Sequence, residues 1–178
     1  MYAVLLALTL FAGSPSAMPP VPRKSPEFTI VEPSGKQTLL SSYKGKVVVL
    51  EFLATWCEHC QHEAQMITKL YKELGPRGFQ PIGVALNDNA AVLVAPFVKQ
   101  FQVPFPVGYA PDPTVRSFLG ANNTDRLMVP QVVVIDRKGM IRAQSPMAGD
   151  PNLQDEAKVR KLIEGLLKEG ATKKAAAR

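Results

Sequence analysis

The residues best suited to chemistry lie in one stretch, Glu51 to Glu63, EFLATWCEHCQHE. It holds both cysteines of the chain, Cys57 and Cys60, and both histidines, His59 and His62. Three chemistries suit such a set: soft-metal binding, an activated nucleophile, or a disulfide that opens and closes. Zinc needs four well-placed ligands, and no second Cys/His cluster exists elsewhere in the sequence. The metal alternative is therefore copper, held in a metallochaperone by Cys57, Cys60 and a nearby histidine as soft ligands. A Cys57–Cys60 bridge closes too small a loop to restrain the unfolded chain much, so a structural staple is a poor explanation for the pair. A reactive dithiol is a better one.

The elements around the motif decide how those thiols are presented. KVVVLEFLA, Lys46 to Ala54, is a continuous β-branched and apolar run, the pattern of a strand buried on both faces. After Cys57 the apolar period becomes helical, with Ala64, Ile67, Tyr71 and Leu74 on one stripe flanked by Met66 and Leu70, and Gly75-Pro76 stops it. Cys57 is thus expected at a helix N-terminus, where free backbone N–H groups and the positive end of the dipole favour a thiolate. Cys60 lies one turn on, within reach of a mixed disulfide on Cys57, so Cys57 is the nucleophile and Cys60 the resolving thiol. His59, if protonated, stabilises the thiolate and makes the disulfide more oxidising, while Glu58 opposes it; His62 is expected to face solvent. Glu51 interrupts the apolar strand between Leu50 and Phe52. A carboxyl there should have a raised pKa and can accept and return the Cys60 proton.

Further along, FTIVEPSG and KQTLLSSYKG suggest a hairpin turning at Pro33-Ser34-Gly35. FQPIGVAL is a second buried strand, and NDNAAVLVAPFVKQF a helix capped at Asn87, Asp88 or Asn89. VPFPVGYAPDPTVRSFLGA reads as a Pro-rich connection into a short helix near Thr114 to Leu119. QVVVIDRKGMIRAQ is a hairpin, and Asn152 to Glu169 a closing amphipathic helix through Val159, Leu162, Ile163, Leu166 and Leu167. The order predicts a three-layer α/β domain with a central mixed sheet flanked by helices and an N-terminal β-hairpin.

The chain has 178 residues, 46% hydrophobic and 20% charged, enough for one domain. Its net charge of +6 is concentrated near the C-terminus, in Lys158, Arg160, Lys161, Lys168, Lys173, Lys174 and Arg178, with no interleaved aromatics to stack on bases. Nucleic acid is not an expected partner, and nothing calls for a cofactor or a second copy, so a monomer is expected. Residues 1–17, MYAVLLALTLFAGSPSA, have the short apolar core and small-residue end of an export signal, without a basic residue before the run. The expected organisation is a signal over 1–17, a Pro-rich linker over 18–26, a domain over 27–169 and a flexible basic tail over 170–178. The expected location is extracytoplasmic, periplasmic or secreted.

Taken together, Cys-x-x-Cys after Trp56, the run KGKVVVLEFLATWCEHC, and later PIGVAL and VPQVVVIDRKG resemble the thioredoxin superfamily, in particular its extracytoplasmic TlpA/ResA-like thiol-disulfide oxidoreductases. The resemblance spans about Phe28 to Ile163 and implies a thioredoxin-like fold. It also implies that Val129-Pro130 is the cis-proline loop beside the cysteines. There Pro130 leaves a backbone edge on which a client strand pairs with Val129, with Trp56 alongside. It implies as partners client proteins outside the cytoplasm, oxidised or reduced, and a membrane thiol donor, with a reductase role such as cytochrome c maturation. Two features depart from the family pattern. The Glu58-His59 pair leaves redox direction open, and Gln65 stands where the family often has a kinking proline, predicting a straighter first helix. A peroxidase of the related peroxiredoxin kind resembles a Thr three residues before its cysteine, and Ala54 occupies that place.

Overall fold

The computed structural model describes residues 18–176, with side chains described through residue 169. The segment 1–17 expected as an export signal lies outside the described residues. Strands are β1 (Arg23–Lys24), β2 (Thr29–Val31), β3 (Gln37–Leu39), β4 (Val47–Leu53), β5 (Phe79–Ala85), β6 (Val107–Tyr109), β7 (Gln131–Ile135) and β8 (Met140–Gln144). Helices are α1 (Glu58–Leu74), α2 (Ala90–Phe101), α3 (Asp112–Leu119) and α4 (Glu156–Ala176), with a 3-10 turn over Leu40–Tyr43.

One eight-stranded sheet runs in the order β1-β8-β7-β4-β5-β6-β2-β3. β4 pairs in parallel with β5 along its whole length and antiparallel with β7, from Val48↔Ile135 to Phe52↔Gln131. Every residue of β4 and β5 is buried, as continuous apolar strands covered on both faces must be. Side chains alternate between faces. Val47, Val49 and Leu53 pack with α1, α2 and α4, while Val48, Leu50 and Phe52 pack with α3 and the β2–β3 hairpin. On the second face Phe28, Phe52 and Phe118 form an aromatic trio with centroids 5.3 to 5.6 Å apart. Glu51 falls on the first face, the one shared with both cysteines.

The mixed sheet, flanking helices and N-terminal hairpin are those expected; three details differ. The Pro-rich segment 18–26 contributes β1, which pairs Arg23 with Ile141 and Lys24 with Met140, so it is an edge of the sheet rather than a linker. The stretch expected as connection before α3 contains β6, preceded by Pro104 and Pro106 and followed by Pro111. Gly108 of β6 has no side chain because a Cβ there would lie 2.7 Å from the Val31 carbonyl oxygen as β2 crosses. The last helix continues past Glu169 to Ala176, through Ala and Lys residues of high helix propensity where a flexible tail was expected.

Candidate active site

Cys57 ends the loop that leaves β4 and is the N-cap of α1. The Cys60 amide donates to Cys57 Sγ at 3.3 Å, so the sulfur takes one of the donors that a helix N-terminus leaves free. Cys57 Sγ also lies 3.8 Å from the Val129 carbonyl, to which its thiol donates. Cys57 is 9% exposed and Cys60 0%; both are free thiols in this structure. One thiol can be reached from outside and the other only through it. Burial pushes the Cys60 thiol well up, and its contact with Cys57 and the neighbouring Glu51 carboxylate add to that.

The loop is held from two sides. Asn87, after β5, accepts from the Thr55 amide at 2.9 Å and donates to Thr55 Oγ1 at 3.2 Å; Gln61 Nε2 donates to the Thr55 carbonyl at 3.1 Å. Asn87 was one of the residues expected to cap α2. Its side chain is committed to Thr55, and the N-cap is Asn89, in a left-handed conformation (φ 59°) with no side-chain cap. Across the site the Val129–Pro130 bond is cis. Gln131, fully buried, donates from Nε2 to the Met128 carbonyl at 2.8 Å and the Pro146 carbonyl at 3.0 Å, pinning the backbone on both sides of that loop.

Beneath the thiols lie two buried carboxyls. Glu51 is 1% exposed with neither oxygen hydrogen-bonded, and its pKa is raised well above the ordinary carboxyl range by burial, then by the negative charges of Glu63 and Cys57. Glu63 is 4% exposed, its Oε1 also lacks a partner, and burial raises its pKa to about 8. Sequence reasoning singled out Glu51 but not Glu63, Gln131 or the Asn87 clamp. Glu63 had a signal: Cys60, Glu63, Ile67, Leu70 and Leu74 follow one another at steps of three and four, the spacing of a single helix face. Leu70 belongs to that stripe, and Tyr71, expected on it, is only partly buried. α1 runs unbroken through Gln65.

The upper side of the motif is open. Trp56 is 72% exposed, Met128 on the opposite loop is 41% exposed, and Val129 is half-buried against the cysteines. Glu58, His59 and His62 all face solvent. Among the described residues no group of three or more His, Cys, Asp or Glu side chains is arranged to hold a metal ion. The same residues include no helix long and apolar enough to cross a membrane.

The sequence profile of the AhpC/TSA family matches residues 21–144. Over 138 residues the chain is 28% identical to thiol-disulfide oxidoreductase ResA of Bacillus cereus, covering 76% of each chain. It is 32% identical to thiol-disulfide oxidoreductase ResA of Bacillus subtilis over 117 residues, 66% of this chain and 62% of that one. Its fold superimposes on a thiol:disulfide interchange protein of the thioredoxin family from Chlorobium tepidum with a TM-score of 0.69 and 27% identity, over 84% of this chain and 99% of that one.

Proposed function

This chain belongs to the AhpC/TSA family and is a thioredoxin-like, ResA-like thiol-disulfide oxidoreductase, and we propose that it reduces disulfides of exported proteins through the Cys57–Cys60 pair. The observation that carries this reading is the pairing of an N-cap thiol that can be reached with a resolving thiol buried one turn behind it.

The Cys57 thiolate attacks one sulfur of a client disulfide, forming a mixed disulfide and releasing the first client thiolate, which takes a proton. Cys60 then loses its proton and attacks Cys57 Sγ, releasing the second client thiol and leaving Cys57 and Cys60 joined as a disulfide. Water does not reach Cys60, so its proton needs an internal acceptor. Glu51, aided by Glu63, fills that role, because burial raises the pKa of both carboxyls, so each holds a proton more readily than an ordinary carboxylate and can pass it back. The client strand pairs with the Val129 backbone beside Pro130 and packs on Trp56. Reduction of the Cys57–Cys60 disulfide by a membrane thiol donor completes the cycle. Residues 1–17 direct export, which puts the domain where clients such as the haem-binding cysteines of c-type cytochromes are oxidised. Ala54 offers no hydroxyl to a peroxide, which favours disulfide exchange over peroxidase chemistry.

The deciding measurement is the reduction potential of the pair, by equilibration in dithiothreitol or glutathione buffers. A value near the ~−270 mV of thioredoxin supports a reductase, one near the ~−120 mV of DsbA reverses the direction, and the absence of a reversible couple removes the reading. In turnover assays Cys57→Ser is inactive, while Cys60→Ser accumulates mixed disulfides visible on non-reducing gels. Failure to trap any partner with Cys60→Ser overturns the division of roles.

A further inference from the structure

At the end of the sheet away from the thiols, a cavity of about 580 Å³ opens between the Leu40–Tyr43 turn, β1 and the β7–β8 turn. Val48 and Ile135 are paired at the amino end of β4. With strands rising about 3.3 Å per residue, roughly 17 Å of β4 separates Val48 from the loop that carries Cys57. The floor is apolar, made by Leu40, Val48 and Ile135, all buried. The rim is basic: Lys24, Lys44, Lys46 and Lys138.

The charges of this rim are not balanced from within. Two acids line the cavity, and both are occupied by other donors. Glu27 Oε1 accepts the backbone amides of Phe28 and Ser41 at 3.0 Å each. Asp136 Oδ1 accepts the amides of Lys138 and Met140 at 2.9 and 3.0 Å, and its Oδ2 takes Arg142 at 3.1 Å. Lys46 donates to Gln80 at 3.0 Å and stands 5.9 Å from the centre of the Tyr43 ring. The ammonium groups of Lys24, Lys44 and Lys138 make no hydrogen bond or close ion pair among the described residues, and Lys138 interacts with Glu169 only at longer range. An apolar floor under ammoniums that lack a hydrogen-bond acceptor, in a volume typical of small-molecule sites, is complementary to one kind of ligand.

We propose that this cavity binds an amphiphilic organic anion, its apolar body on Leu40, Val48 and Ile135 and its carboxylate or phosphate held by Lys24, Lys44 and Lys138. Such an anion could be a free soluble molecule or the end of a lipid. The site is independent of the thiol chemistry and does not rest on it.

The test titrates the 15N-labelled protein with octanoate below its micelle concentration, with inorganic phosphate and with phosphatidylglycerol vesicles in parallel. The expected result is saturable displacement of the Leu40–Lys46 and Asp136–Gly139 amide signals by octanoate, with phosphate much weaker. Lys44→Glu/Lys138→Glu weakens octanoate binding by about tenfold or more, since exposed charge pairs are individually modest. Lys44→Gln/Lys138→Gln gives an intermediate loss if the reversal disturbs folding. Disulfide turnover is unchanged in both variants. Displacement by vesicles as well as by octanoate, with the same loss in the variants, identifies the lipid source; by octanoate alone, the soluble one. Equal affinity for phosphate and octanoate overturns the proposal, since the floor then contributes nothing. So does vesicle binding without any response to octanoate, which marks a merely basic face, and so do shifts centred on Trp56 and Met128.

Discussion

Acids are buried at both ends of β4 and are treated oppositely. At the thiol end, Glu51 has no hydrogen-bond partner for either oxygen and Glu63 none for Oε1, and burial raises both pKa values. At the other end, burial alone would raise Asp136 too. There the amides of Met140 and Lys138 and the Arg142 guanidinium outweigh it and hold the carboxyl below its ordinary value. Asp136 closes the β7–β8 turn and is permanently charged at neutral pH. The Glu51–Glu63 pair has no such anchoring, and both pKa values are raised. An acid whose oxygens are all satisfied serves the fold, and one left unsatisfied in the core reduces stability and is informative about function.

The largest expected break in this contrast is Glu51→Gln. It keeps the shape of the protonated acid but cannot accept a proton, and resolution of the mixed disulfide should slow by about 100-fold at pH 7 in stopped-flow thiol exchange. A near-native rate in Glu51→Gln with a slow Glu51→Gln/Glu63→Gln double variant would assign the role to the pair. Native rates in both would end it.

Stability against pH sharpens the same contrast through its sign. Glu63 has a folded pKa raised from an ordinary 4.5 to about 8. Its stability contribution is full below pH 4.5 and is lost as pH rises toward 8, because the unfolded chain ionises first. Glu63→Gln should therefore be more resistant to urea than the native protein at pH 8, by ~2 kcal/mol at ~1.4 kcal/mol per pKa unit after discounting for relaxation of the site. The advantage should shrink to nothing near pH 4.5. Asp136 has the opposite sign: its contribution is present above its ordinary 3.8 and lost as pH falls through the lowered folded value. Asp136→Asn should lose ~1 kcal/mol at pH 7 in the same titration and leave disulfide turnover untouched. A gain in stability for Asp136→Asn, or a loss for Glu63→Gln at pH 8, would erase the distinction between the two ends.

Much of this site was legible in the chain because two strong periodicities meet there. The run Val47 to Leu53 is apolar without alternation, so Glu51 stands out as an interruption and its burial could be argued. Glu63 did not stand out, since QHEAQ reads as a helix surface until Cys60 is counted as part of the buried stripe. Gln131 was hidden for a different reason. Its importance depends on carbonyls of Met128 and Pro146 that come together only once β7 and β8 have paired. β1 and β6 are too short, and too closely flanked by proline, for a period-2 pattern to appear. The cavity at the far end is assembled from β1, the Leu40–Tyr43 turn and the β7–β8 turn, which no local pattern connects.

The smallest effect belongs to His59, on the open side of the motif. It is exposed, unlike Glu51 and Glu63, so any charge it carries reaches the Cys57 thiolate through water and is screened by salt. His59→Ala should lower the reduction potential of the pair by less than ~30 mV, the equivalent of ~1.4 kcal/mol for two electrons. The shift should fade in 0.5 M salt. Glu58→Gln should move the potential the other way by a similar amount, because the Glu58 carboxylate opposes the thiolate from the same exposed turn. If His59→Ala shifted the potential by 100 mV, and salt did not reduce the shift, the redox poise would be set at the surface of the motif. The buried acids would then govern the rate of proton transfer alone.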